Sequence, residues 1–330
     1  MPHHVIETDF EPDDAIAILA HAAQFTNIDL TVIVGESKPN EKLPYVRKFL
    51  NAIRIKYPNA YKSIKVIQGL GSKKKYPAPE FIETFTTNFG ETVVNLDHFI
   101  TIMPNEDSEE TILTNYTEEY STNPEFAFMM KPPREAIKLR LQCPNTTVYC
   151  YGSFNFRTLK LQTQDYVDLM SRYKKFYYFD SFTAIGEKNS GMFKAGAWSK
   201  NSINDQITEL IIKWNKHIIA DCENDLVELM QKENRDEKDE KSIQRTKKII
   251  SNVSENVKEQ FVMADLCLFL CPLPTQQVEL ADINPYPKWV PSTTSNVYIY
   301  SGAPVPPAGS TPETEERRAK LLENLNELIG

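Results

Sequence analysis

Residues 5–35, VIETDFEPDDAIAILAHAAQFTNIDLTVIVG, decide the fold. Val5 to Glu7 is a short extended run that delivers the chain to an acidic turn. Ala15 to Ala23 (AIAILAHAA) is Ala-rich and apolar, as a buried helix requires. Leu30 to Gly35 (LTVIVG) is an unbroken β-branched run, the mark of a central parallel strand buried on both faces. Strand, turn, helix, strand is one unit, and it recurs along the chain. A helix around residues 44–57 leads to a strand over Ile64 to Gly69 (IKVIQG), and a helix near 133–142 leads to a strand over Thr146 to Ser153 (TTVYCYGS). The alternation predicts an α/β fold with a doubly wound, mostly parallel central sheet, helices on both faces, and a single domain over residues 1–330.

Between Gly71 and Lys131 the pattern weakens. Turn residues and the acidic stretch NEDSEETI interrupt any long apolar period, so 71–131 reads as an insertion or lid beside the sheet. Another strand follows in KKFYYFDSF from Lys174, and one or two helices over 205–230. QKENRDEKDEKSIQRTKK (231–248) reads as a solvated helix or surface loop. A Pro-rich stretch from Cys271 to Pro312 precedes a last amphipathic helix, ETEERRAKLLENLNELI.

Composition narrows the function. A chain of 330 residues with 41% hydrophobic and 25% charged residues and 11 Gly is neither collagen-like, low-complexity nor disordered. With 45 acidic against 37 basic residues, its net charge of −8 has the wrong sign for attraction to nucleic acid or an anionic membrane. A small-molecule substrate is expected instead. No run approaches the ~18 apolar residues of a membrane span, and the first residues turn acidic where a secretory signal turns apolar, which predicts a cytoplasmic protein. Cys143, Cys150, Cys222, Cys267 and Cys271 have no CxxC spacing and read as reduced core residues, not as a nucleophile or zinc site. His3, His4, His21, His98 and His217 are scattered singly and read as satisfied core or surface groups.

The acidic turn carries the chemistry. Glu7, Asp9, Glu11, Asp13 and Asp14 crowd together at the C-terminal end of the first strand, where open α/β sheets bind ligands. A hard divalent cation with oxygen ligands is the simplest way to hold such charges together. Helix capping is the plainer alternative, since negative charge is favoured at a helix N-terminus.

The segment resembles the N-terminal signature of the nucleoside hydrolase family (inosine-uridine-preferring nucleoside N-ribohydrolases), D-x-D-x-G-x-D-D-A. Glu7, Asp9, Asp13, Asp14 and Ala15 fall on its marked positions and Glu11 on its Gly. Further stretches resemble the family's landmarks in order. LTVIVGES places Glu36 on a substrate-side Asn, and IKVIQGLG resembles the next strand. TTVYCYGSFNFRTL places Asn155 where a main-chain carbonyl reaches calcium, GEKNS places Glu187 and Asn189 on the ribose-binding pair, and VMADLCLFL places Asp265 on a calcium aspartate and Ala264 on a histidine. The resemblance implies Ca²⁺-dependent hydrolysis of the N-glycosidic bond of a ribonucleoside or related N-riboside, as in purine salvage, by a homodimer or homotetramer. It implies Ca²⁺ on Asp9, Asp14, the Asn155 carbonyl and Asp265, Asp9 as the base, and a substrate held by Asp13, Glu36, Glu187, Asn189 and Asp265.

Two departures bear on mechanism. Ala264 cannot donate a proton to the leaving base, and Glu36 puts a charge where the family has an amide. The acid comes from another side chain, such as Tyr177 or Tyr178, or the leaving group is already good, or the chain is a catalytically silent ribosyl-binding member. A magnesium-dependent phosphohydrolase of the haloacid dehalogenase type shares an acidic strand end but requires a D-x-D-x-[TV] nucleophile loop, and Glu7 stands at the nucleophile position.

Overall fold

The computed structural model describes residues 2–72, 100–102, 108–152, 155–156, 159, 161–179, 202–255, 265, 267–270, 276–282 and 288–300. Glu187, Asn189, Ala264 and the expected last helix lie outside the described residues.

The chain runs β1 (His3–Thr8), α1 (Pro12–Gln24), β2 (Ile28–Glu36), α2 (Pro39–Lys56), β3 (Tyr61–Gly71) and β4 (Ile100–Ile102). It continues with α3 (Glu109–Ser121), β5 (Phe126–Met129), α4 (Arg134–Leu139), β6 (Cys143–Tyr151), α5 (Thr163–Ser171) and β7 (Tyr173–Phe179). Last come α6 (Ser202–Met230), α7 (Glu237–Glu255), α8 (Cys267–Leu270), β8 (Gln276–Ala281), β9 (Lys288–Pro291) and β10 (Val297–Tyr300). The strands form a sheet in the order β4-β3-β2-β1-β5-β6-β7-β10-β8-β9, parallel except for β8, which pairs antiparallel with both β10 and β9 at one edge.

Side chains on a strand point alternately to opposite faces, and here both faces are apolar. Ile6, Leu30, Val32, Ile64, Val66 and Phe128 pack against α1, α2 and α8. Val5, Ile33, Ile67, Met129, Val148 and Cys150 pack on the other face with Tyr116 and Tyr120 of α3, Ala136 of α4 and Leu169 and Met170 of α5. Each such fully buried aliphatic or aromatic side chain contributes roughly 1.5–3 kcal/mol, so the sheet is held from both sides, as the sequence alternation predicts.

The first four strands run outward from β1 to one edge, and the chain then returns to place β5 on the other side of β1. The order reverses between β1 and β5. Open α/β sheets bind ligands at such a switch point, outside the C-terminal strand ends, and the acidic turn leaves β1 there.

The segment 71–131 is not an appendage. Its described part holds β4, α3 and β5, and β5 is the neighbour of β1 at the centre of the sheet. Four residues, FAFM, are too short to show a period, and the apolar part of α3's buried face is Ile112, Tyr116 and Tyr120 at four-residue spacing. The Pro-rich stretch likewise contains β8, β9 and β10. The mixed-charge segment becomes most of α7, which is largely exposed apart from Ile243.

At the opposite end of β1, the His4 and His21 rings share a hydrogen bond (Nδ1 to Nε2, 2.9 Å), and His21 Nδ1 lies 2.9 Å from the Tyr61 hydroxyl. Burial lowers the His4 pKa to about 4 and that of His21 well below its usual value, so both are neutral core groups. Cys143, Cys150 and Cys267 are buried and not disulfide-bonded, consistent with core roles. No helix among the described residues is long and apolar enough to cross a membrane.

Candidate metal and ligand site

The turn after β1 is built by its own side chains. Phe10 adopts a left-handed backbone (φ 54°), a conformation that costs a bulky residue about 1–3 kcal/mol. Burial of its ring against Phe49 and a hydrogen bond from its N–H to Thr8 Oγ1 (2.8 Å) hold it there. Thr8 Oγ1 in turn donates to Asp14 Oδ1, and the Glu11 N–H donates to Asp14 Oδ2 at 3.2 Å. Asp14 therefore caps α1, and the capping reading is correct for this residue.

Capping does not account for the rest. Asp13 and Asp14, in the first turn of α1, meet Asp265, which lies just before α8, with one carboxylate oxygen of each within 4.8 Å of the others. The Leu268 N–H donates to the Asp265 carbonyl at 3.1 Å, and α8 packs on α1 and β6, which carries Asp265 across the strand ends. Asp265 is 3% exposed, and its buried Oδ1 has no hydrogen-bond partner among the described residues. Burial, then the charges of Asp14, Asp13 and Asp9, push the Asp265 carboxyl well above its usual range. Burial, with Asp9 and Asp13 next, does the same to Asp14. Three converging carboxylates, one with an orphaned oxygen, match the all-oxygen ligand set of a hard divalent cation.

Asp9 stands beside this group. Burial raises its pKa, the Lys42 ammonium and a hydrogen bond with Asp14 oppose the rise, and Glu36 adds to it. Lys42 is itself buried and donates to the Asp9 carbonyl. The trio that could hold a cation thus contains Asp13, which the resemblance assigned to ribose, and does not include Asp9. Asn155 follows β6 and uses its side-chain amide to bind the Met130 and Tyr151 carbonyls (2.9 and 3.1 Å), tying the ends of β5 and β6 together.

Glu7 does not belong to the acidic cluster. One residue before Thr8, it points to the opposite face of the sheet, where the Tyr116 and Tyr120 hydroxyls donate to its Oε1 at 2.7 and 2.6 Å. Lys131 Nζ lies 3.3 Å from Glu7 Oε2 and 2.5 Å from Glu135 Oε2. Burial would lower the Lys131 pKa, but Glu135 and Glu7 outweigh it and hold the ammonium charged. Glu135 Oε1 also accepts the Leu70 N–H at 2.7 Å. Only glycine leaves room for these side chains to cross β2 and β3: a Cβ on Gly35 would lie 2.9 Å from Lys131 Cδ, and one on Gly69 2.5 Å from Glu135 Oε1.

Glu36, expected beside the substrate, is 2% exposed and bound side-on by Arg134, Nε to Oε1 at 2.5 Å and Nη2 to Oε2 at 3.2 Å. Its charge is matched by the protein itself. Tyr177 stacks between Tyr149 and Tyr298, and Tyr178 packs on Phe156 and Trp289, so both are core aromatics rather than acids at the site. Sequence reasoning missed Tyr151, the last residue of β6. It is 4% exposed, its hydroxyl has no hydrogen-bond partner among the described residues, and burial followed by the charge of Asp265 raises its pKa well above the usual value. No family model and no curated protein matches the chain.

Proposed function

We propose that the chain is a divalent-cation-dependent N-ribohydrolase of the nucleoside hydrolase type, acting on a ribonucleoside or related N-riboside, with calcium as the cation. The observation that supports this most is the convergence of Asp13, Asp14 and Asp265, with an unsatisfied Asp265 oxygen, at the switch point of a parallel sheet. Asp13, Asp14 and Asp265 would hold the cation, which when bound neutralises the cluster and polarises oxygen atoms of water and sugar.

Asp9, adjacent to the trio, accepts the proton of the attacking water as the C1′–N bond breaks. The excess of carboxylates over Lys42 among the described residues of the turn favours the cationic, oxocarbenium-like transition state over the neutral ground state. By the resemblance alone, Glu187 and Asn189 complete the ribose contacts. With Ala264 at the family's histidine position, the best substrates are those whose leaving group departs without a proton.

Lys42 favours a second reading, a catalytically silent ribosyl-binding member. An ammonium beside Asp9 stabilises the carboxylate and weakens it as a base. Ribose release from purine and pyrimidine nucleosides, nicotinamide riboside and p-nitrophenyl riboside, with Ca²⁺ and with chelator, separates the two. Calcium-dependent turnover that disappears in Asp9→Asn supports the hydrolase. Riboside binding without release from any substrate supports the silent reading.

A further inference from the structure

The three aspartates reach one another from two separate segments of the chain. α1 carries Asp13 and Asp14 in its first turn and His21 and Gln24 in its last. The segment from Asp265 through α8 packs along α1 and is anchored at both ends of it. At one end, Asp265 joins Asp13 and Asp14. At the other, the Phe269 ring meets His21 edge-on (centroids 5.6 Å) and stacks on Phe128 (4.7 Å), and the Phe269 carbonyl accepts a hydrogen bond from the Gln24 side-chain amide at 2.9 Å. Between the anchors Cys267 is fully buried and Leu268 nearly so. The anchors differ in kind. The Phe269 end is apolar and hydrogen-bonded, so it holds without any ligand. The Asp265 end brings one carboxylate oxygen from each of three aspartates within 4.8 Å of the others, so it repels until a cation stands between them. A helix of four residues, CLFL, is far too short to be stable by itself, so its position depends on these two anchors.

We propose that α8 is a strap closed by the cation. With the ion bound, Asp265 is pinned to Asp13 and Asp14 and α8 lies fixed along α1; without it, repulsion frees the Asp265 end, and α8 opens locally while the Phe269 anchor resists. Gln24 and Phe269, at the end of α1 away from the aspartates, are positioning residues that set how far the strap opens. Ion binding and strap closure are linked, because part of the ion's binding energy is used in closing the strap. Asp265→Asn removes one charge from the cluster and lets the strap close with no ion. This rests on the cation reading above.

The test is iodoacetamide labelling of the full chain at pH 8, with Ca²⁺ and with chelator, scored for each cysteine by peptide mass spectrometry and divided by the rate in the urea-unfolded chain. Cys267 reports the strap, and Cys150, fully buried in β6, reports global unfolding. In chelator, Cys267 should label roughly tenfold or more faster than Cys150, and saturating Ca²⁺ should remove most of that excess. Gln24→Ala, a change at an exposed helix end, should speed Cys267 roughly fivefold in chelator, the effect of one lost hydrogen bond, and leave Cys150 unchanged. Asp265→Asn should keep Cys267 slow in chelator and indifferent to Ca²⁺. Calcium binding seen by calorimetry while Cys267 labels no faster than Cys150 in chelator, or at a rate Ca²⁺ does not change, overturns the strap and leaves the cation reading standing. Asp265→Asn labelling at the wild-type chelator rate overturns the strap likewise. No calcium binding by the wild type overturns the cation reading and the strap with it.

Discussion

Replacing Lys131 with Met removes the ammonium between Glu7 and Glu135 while keeping a side chain of similar length. Both carboxylates are fully buried, and the lysine side chain is 1% exposed. At an effective dielectric of about 20, attractions at 3.3 and 2.5 Å come to roughly 5 and 7 kcal/mol. Desolvation of the lysine cancels much of that, but its removal leaves two carboxylates uncompensated, which costs about 3–5 kcal/mol. The Tyr116 and Tyr120 hydroxyls and the Leu70 N–H still reach Glu7 and Glu135, so the lower half of that range is expected. Urea unfolding followed by circular dichroism should show the midpoint falling by roughly 1 M or more. Lys138→Met is the control: Lys138 also pairs with a glutamate, Glu109, but both are more than half exposed, and its loss should cost less than about 1 kcal/mol. A Lys131→Met unfolding free energy within about 1 kcal/mol of wild type would refute the assignment of Lys131 as the charge that makes a buried Glu7 tolerable.

Gly69→Ala should destabilise by roughly 1–3 kcal/mol, because its Cβ displaces Glu135 from the Leu70 N–H; unchanged thermal melting would argue against that close approach. Acid should weaken the protein through His4. Its folded pKa, about 4, is depressed below the usual 6.5, so its contribution is present above pH 6.5 and lost as pH falls through 4, to a limit of roughly 3 kcal/mol. The stability gap between wild type and His4→Phe, measured at pH 7 and pH 4, should shrink or reverse by about that amount, and a constant gap would contradict it. The raised Asp14 and Asp265 groups act with the opposite sign. Without a cation, the stability they contribute is present in acid and lost as pH rises through their folded pKa values, so Ca²⁺ should raise the melting temperature more at pH 8 than at pH 5.

Sequence patterns reveal the strands that are long and apolar, and conceal those that are short or flanked by proline. LTVIVG and IKVIQG announce β2 and β3 because a strand buried on both faces is apolar throughout. FAFM has too few residues for any period, although it completes the switch point on which the site depends. Asp13 and Asp14 are legible because they are adjacent at a helix start. Glu7 could have been separated from them by the two-residue alternation of a strand, which sends it and Thr8 to opposite faces. Asp265, the Arg134 partner of Glu36, and the orphaned Tyr151 hydroxyl depend on contacts between distant parts of the chain, and local sequence carries no record of those.

The proposed function depends on a cation held by Asp13, Asp14 and Asp265. Calorimetric titration of chelator-treated protein with Ca²⁺, repeated in buffers of different ionisation enthalpy, tests it most directly. The expected result is one ion per chain, bound with release of protons from the raised carboxyls, and at least tenfold weaker binding in Asp265→Asn. Absence of calcium binding by the wild type, or the same affinity in Asp265→Asn, would contradict the claim.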